Sequence, residues 1–142
     1  MSQALDFNLF AMAAADGIIA ANAAGEIIFW NPAAARIFGF AATEAIGQSL
    51  DLIIPERFRA RHWEGYRHVM ATGETKYGSE VLRVPARHKN GAALSIAFTV
   101  TLLDAPAGGG RIIAAIVRDE TARWNEEREL KRRLAELEQR PK

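Results

Sequence analysis

Cysteine is absent from this chain. That one absence removes disulfide staples, thiolate metal sites, iron–sulfur clusters and cysteine nucleophiles together, and it fits a reducing, cytoplasmic compartment. Long apolar runs are missing too: no uncharged stretch reaches the roughly 18 residues needed to span a bilayer. The alanine-rich N-terminus carries Asp6 and Asp16 and has no basic leading region, so it does not read as a secretion signal. An excess of one charge is also lacking. Eighteen basic side chains face 17 acidic ones, for a formal charge of +1, so nothing on global electrostatics argues for nucleic acid or a membrane surface as partner. Nucleophile–base pairs, carboxylate dyads and HExxH-type motifs are missing as well, which leaves catalysis without residues to rest on and gives the reading of a non-enzyme.

What is present suits one globular domain: 142 residues, of which 49% are hydrophobic and 25% charged, are enough for one core and too few for two. The most informative stretch runs from Pro55 to Thr72. At about 100° per residue, Phe58, His62, Tyr66 and Val69 share one helical stripe, while Arg57, Ala60, Glu64 and Arg67 lie opposite. His62 is thereby aimed inward, where an imidazole needs a hydrogen-bond partner, a ligand or a metal. Gly65 is read on the same inner side, leaving space where a side chain would sit. His68 and His88 read as surface residues, and Arg57, Arg59 and Arg61 as a solvated face.

The rest of the chain has a definite order. Leu5 to Ala15 has helical spacing and breaks at Asp16-Gly17. Ile18–Ala21 and Glu26–Trp30 flank the turn Asn22-Ala-Ala-Gly25, as in a hairpin. Asn31 and Pro32 suit a helix start, and Gly39 its stop. Single turns follow at Thr43–Ile46, with Thr43 as cap, and at Leu50–Ile54. Beyond Gly73, Tyr77–Ala86 reads as a third strand. Lys89-Asn-Gly91 marks a hairpin turn into a strand in which Leu94, Ile96, Phe98, Val100 and Leu102 alternate with small or polar residues, predicting one completely buried face. Gly108-Gly-Gly110 is a loop, and Arg111–Asp119 a fifth strand. From Thr121, a possible cap, a charged helix places Leu130, Leu134 and Leu137 at coiled-coil-like spacing, so it calls for a partner helix.

This order, and the words Asp16-Gly-Ile-Ile, Gly25-Glu-Ile-Ile-Phe-Trp-Asn-Pro, Ile37-Phe-Gly-Phe, Lys89-Asn-Gly and Ile116-Val-Arg-Asp-Glu-Thr, resemble a PAS domain from about residue 7 to residue 121. The resemblance implies an α+β fold: a five-stranded antiparallel sheet covered on one face by short helices, with an N-terminal flanking helix over 1–16, the sensory domain over 17–120 and a C-terminal signalling helix over 121–142. It implies a pocket between sheet and long helix, lined by His62, Tyr66 and Val69 on one side and by Ile96, Phe98 and Val100 on the other.

Locally, Arg59-Ala-Arg-His62 and the gap-free distance from His62 to Gly91 resemble haem-binding oxygen sensors of the rhizobial kinase and phosphodiesterase kinds. By that resemblance His62 would be the iron ligand of a haem b, and His68 and Lys76 would flank its propionates. Two positions depart from the pattern. Glu80 stands where the phosphodiesterase sensors have a methionine ligand, and Leu82 where both kinds have an oxygen-stabilising arginine. Without that donor the implied gas shifts from dioxygen toward carbon monoxide or nitric oxide.

The function implied is a signalling module that relays ligand state through the C-terminal helix of a homodimer, toward an output domain or kinase. Two other readings stand beside it. One is a ligand-free dimerisation domain. The other is a flavin or small-molecule sensor, which Trp30 and Trp63 could serve by flanking a flavin; LOV-type photochemistry, which needs a cysteine, is excluded.

Overall fold

The computed structural model describes residues 3–74 and 80–140. Five strands, β1 (Gly17–Ala21), β2 (Ile27–Trp30), β3 (Leu82–Arg87), β4 (Ala93–Asp104) and β5 (Arg111–Asp119), form one antiparallel sheet in the order β2-β1-β5-β4-β3. The fold is α+β, as expected. Helices α1 (Phe7–Ala13) and α5 (Thr121–Gln139) flank it, and α2 (Pro32–Phe38), α3 (Ala42–Ala45) and α4 (Arg59–Thr72) lie between β2 and β3.

Local signals explain most boundaries. The Asn31 side chain accepts from Ala34 N and Pro32 fills the first turn of α2, which ends on Gly39 at φ +82°. Gly73, at φ +74°, ends α4 in the same way. Several starts differ from expectation. The third strand, read as Tyr77–Ala86, opens at Leu82, with 77–79 outside the described residues and Glu80 and Val81 ahead of it. The helix expected from Pro55 opens with a 3-10 turn, Glu56–Phe58, and becomes α-helical only at Arg59. Thr43 does not cap α3; Ala41 precedes the helix, and the Glu44 carboxylate reaches back to its N–H at 2.9 Å.

The core lies between the sheet's inner face and α2–α3. Ile19, Ile27, Trp30, Ala34, Phe38, Ala45, Ile53, Ile96 and Val117 are all buried there. Trp30 packs on Phe38 at 5.5 Å between ring centroids and donates its indole N–H to Phe40 O. Asn31, completely buried, ties four segments together. Its oxygen accepts from Ile18 N and Ala34 N, and its amide donates to Ala11 O and Asp16 O.

The face expected to be wholly buried on β4 is covered only in part. Ile96 is buried, whereas Phe98, Val100 and Leu102 are half-buried. Ala97, on the opposite face, is buried too, because the root of α5 crosses there: Glu120 N donates to Ser95 O, and Ser95 N donates to Thr121 Oγ1. Thr121 is therefore not a helix cap. The cap position is Glu120, which makes no side-chain cap bond, and Asp119 ahead of it accepts from both the Thr121 N–H and its hydroxyl.

Candidate functional site

Helix α4 stands off the sheet. Its backbone runs close chiefly to the 3-10 turn before it, and side chains bridge the remaining distance. Its first turn is pinned by Arg59, which donates to Ile54 O at 3.1 Å and to Asp51 O at 3.2 Å. Trp63 follows, its indole N–H donating to the Asp51 carboxylate at 2.7 Å. One turn on, the buried Tyr66 donates its hydroxyl to Asn22 O at 2.5 Å. At the C-terminal end Arg111, from β5, donates to Met70 O.

His62 sits inside this frame. Its ring meets Trp63 edge-on, with centroids 4.7 Å apart, and lies 5.6 Å from Tyr66 at a tilt of 37°. Its Nδ1 is buried and has no hydrogen-bond partner. Burial pushes the imidazole below its ordinary pKa, and the Asp51 carboxylate opposes that only in part, so the neutral form with a free lone pair is favoured. Among the described residues no three His, Asp or Glu side chains gather to share a metal, so any metal on His62 would bring its remaining ligands with it. Burial also raises the Tyr66 hydroxyl to a pKa of about 12, which keeps it a hydrogen-bond donor at neutral pH.

Among the other residues singled out in the sequence, Val69 is half-buried beside this frame. Leu82 sits directly opposite Phe98 on the inner face, next to the Ile96–Val84 rung. Ile96 is buried, and Phe98 and Val100 are half-buried on the same inner face of β4. His68 is exposed, and Glu80 is exposed just ahead of β3. Lys76 lies outside the described residues.

Three readings are corrected. Gly65 is solvent-exposed with nothing within 4 Å of a Cβ built there, so the space beside it is open solvent: at 100° per residue it falls about 60° to one side of His62 and about 100° from the buried Tyr66. His88 is half-buried, not a surface residue; its ring closes over Gly39, where a Cβ would come within 2.5 Å of Cε1. Trp30 and Trp63 do not form a flanking pair, since one packs on Phe38 and the other on His62 and Tyr66.

The sequence reading missed Asp51 and Arg111. The signal for Asp51 was weak, a carboxylate in a short turn. Arg111 opens a strand, where a charge ordinarily means solvent. Register places it on the inner face, two residues before Ile113, which pairs with the buried Ala21.

An open cleft of about 300 Å³ lies beside the frame, lined by Phe40, Gln48, Asp51, Arg59, Arg87 and Lys89, and His62 does not reach it.

The arrangement has relatives. An uncharacterised protein of Azorhizobium caulinodans is 35% identical over 118 residues, 82% of this chain and 16% of that protein. The oxygen sensor protein DosP of Escherichia coli is 29% identical over 103 residues, 72% of this chain and 13% of that protein. The chain thus spans about a sixth or less of these curated relatives. The crystal structure of a PAS domain from Colwellia psychrerythraea superposes with a TM-score of 0.69 at 18% identity, over 82% of this chain and 95% of that one. The family model described as the PAS fold matches residues 5–119. With that match spanning α1, the sheet and the helices over its inner face, the chain belongs to the PAS fold family.

Proposed function

We propose that this PAS sensory domain holds a haem b between α4 and the inner face of the sheet, with His62 as its axial ligand, and reports on a diatomic gas. The observation that carries this is the buried, unpartnered Nδ1 of His62. A buried ring nitrogen without a partner is costly, and a metal is the partner that a lone neutral imidazole suits best. Likeness to an oxygen sensor protein over 72% of the chain supports the same reading. The residues fit the group in kind: one nitrogen donor on α4, and the apolar Leu82, Phe98 and Val100 on the inner face of the sheet.

When bound, the haem iron supplies the coordination position for the gas. The chain's own residues set its selectivity. Leu82 offers no donor to a bound oxygen molecule, so carbon monoxide or nitric oxide is held in preference to dioxygen. Trp63 and Asp51 fix the rotation of α4, and with it the direction of the His62 ring. A shift of the sheet leaves through the Ser95, Asp119 and Thr121 hydrogen bonds into α5. The exposed Leu130, Leu134 and Leu137 on α5 pair that helix with its copy in a homodimer, and the output belongs to a separate domain or kinase.

Titration of the purified chain with haemin tests this directly. A Soret band with the ligand field of a histidine-bound iron is expected, lost or altered in His62→Ala; a wild type without a Soret band overturns it. One observation favours a second reading, a ligand-free dimerisation domain: Trp63 and Tyr66 already fill the space between α4 and the β1–β2 turn. That domain would stay colourless and dimeric, and a flavin-binding domain would be yellow.

A further inference from the structure

Arg111 is a half-buried guanidinium on the inner face of the sheet, and its recorded partner is one backbone carbonyl, Met70 O. Its head lies flat over Gly73, where a Cβ would come within 2.8 Å of Nη2. Asp104 stands opposite it on β4 and Glu74 follows Gly73, yet neither of them, nor Asp119 or Glu120, makes an ion pair with it among the described residues. A guanidinium carries five N–H donors in a fork that matches a carboxylate, and a cap on one helix carbonyl uses only one of them. The rest of the fork, half-buried on the inner face, is left for an acceptor.

Its position says where that partner would come from. Met70 is eight residues beyond His62, about 12 Å along the helix axis, and one turn beyond Tyr66, which reaches Asn22. We infer that Arg111 is the carboxylate anchor of the ligand held between α4 and the sheet, taking an acid group at the Gly73 end while His62 takes the metal. The inference rests on the haem reading, where the acid group is a propionate. It assigns that role to a β5 residue, with the exposed His68 left outside it.

The test compares haemin with iron protoporphyrin dimethyl ester, whose propionates cannot ionise. Both are titrated into the full chain as wild type, R111Q and R111K, with Soret titration for affinity and far-ultraviolet circular dichroism for folding. Wild type is expected to prefer haemin over the ester by roughly ten- to a hundred-fold, as for a charge-assisted hydrogen bond. R111Q is expected to lose that preference with its ligand-field spectrum unchanged, and R111K to keep part of it. A purely structural cap would leave the acid-to-ester ratio where it was. Equal binding of both porphyrins by wild type, or an undiminished preference in R111Q, overturns the anchor and leaves haem binding standing. Failure of folded wild type to bind either porphyrin overturns the haem reading and the anchor with it. Should R111Q lose helix content, R111K decides: a reduced preference supports the anchor and an unchanged one overturns it.

Discussion

Trp63 lies against the backbone of Gly25, so close that a Cβ on Gly25 would fall 2.2 Å from its ring. Gly25 also sits at φ +81°, a conformation that side chains disfavour. Strain and overlap act together in Gly25→Ala, which is expected to cost about 2–4 kcal/mol. Urea unfolding should show a lower midpoint at an unchanged slope. In Gly25→Ala with Trp63→Phe the overlap is relieved and only the backbone strain remains.

Asn31→Ala is expected to cost about 3 kcal/mol, because it removes a helix cap and strands buried donors and acceptors on three other segments. Asn31→Asp keeps the acceptor toward Ile18 and Ala34 but loses both amide donations. It should therefore speed hydrogen exchange in α1, whose Ala11 carbonyl loses its partner.

Acid stability depends on His62. Its native pKa is depressed by burial, so the unfolded chain takes up the proton first and stability falls as pH drops below the ordinary imidazole value of about 6.5. His62→Gln should flatten that fall, read as unfolding free energy measured from pH 7.5 to 5. An unchanged slope would assign the acid sensitivity to other groups.

Alkaline stability depends on Tyr66 with the opposite sense. Its native pKa of about 12 lies above the unfolded value near 10, so its contribution is complete below pH 10 and disappears as pH rises toward 12. Difference titration of Tyr66→Phe against wild type at the tyrosinate absorbance should reveal one late-ionising hydroxyl. The same variant, lacking the bond to Asn22 O, should be less stable at neutral pH by about 1 kcal/mol.

Leu130→Glu combined with Leu137→Glu should convert the proposed homodimer to a monomer in light scattering without loss of fold, since both leucines are more than half exposed in the single chain. A dimeric mass retained by the double variant would move the interface away from α5.

The sheet was legible because its signals are local. Asn-Gly at 90–91, the alternation through β4 and the Asn31-Pro32 start of α2 each specify backbone over a few residues. The site was legible only in outline. Helical periodicity aimed His62 and Tyr66 inward correctly, but Trp63, one step off that stripe, is held by Asp51, twelve residues earlier, and no periodic pattern encodes such a bond. Arg111 escaped for the same reason. A charge at a strand end looks solvated until register and the height of α4 above the sheet are known. Gly65 shows the converse: small size suggested space inside, and the helix phase turned it to solvent.

Gly17 and Val117 occupy one rung of the sheet. The residues beside them, Asp16 and Arg118, close on each other with two bonds of 3.1 Å. Where the chain arrives from α1 and where it departs into α5 are thus neighbours, clamped at a single point. A module wired this way can be spliced between two helical rods, and a displacement at that point would reach both rods together.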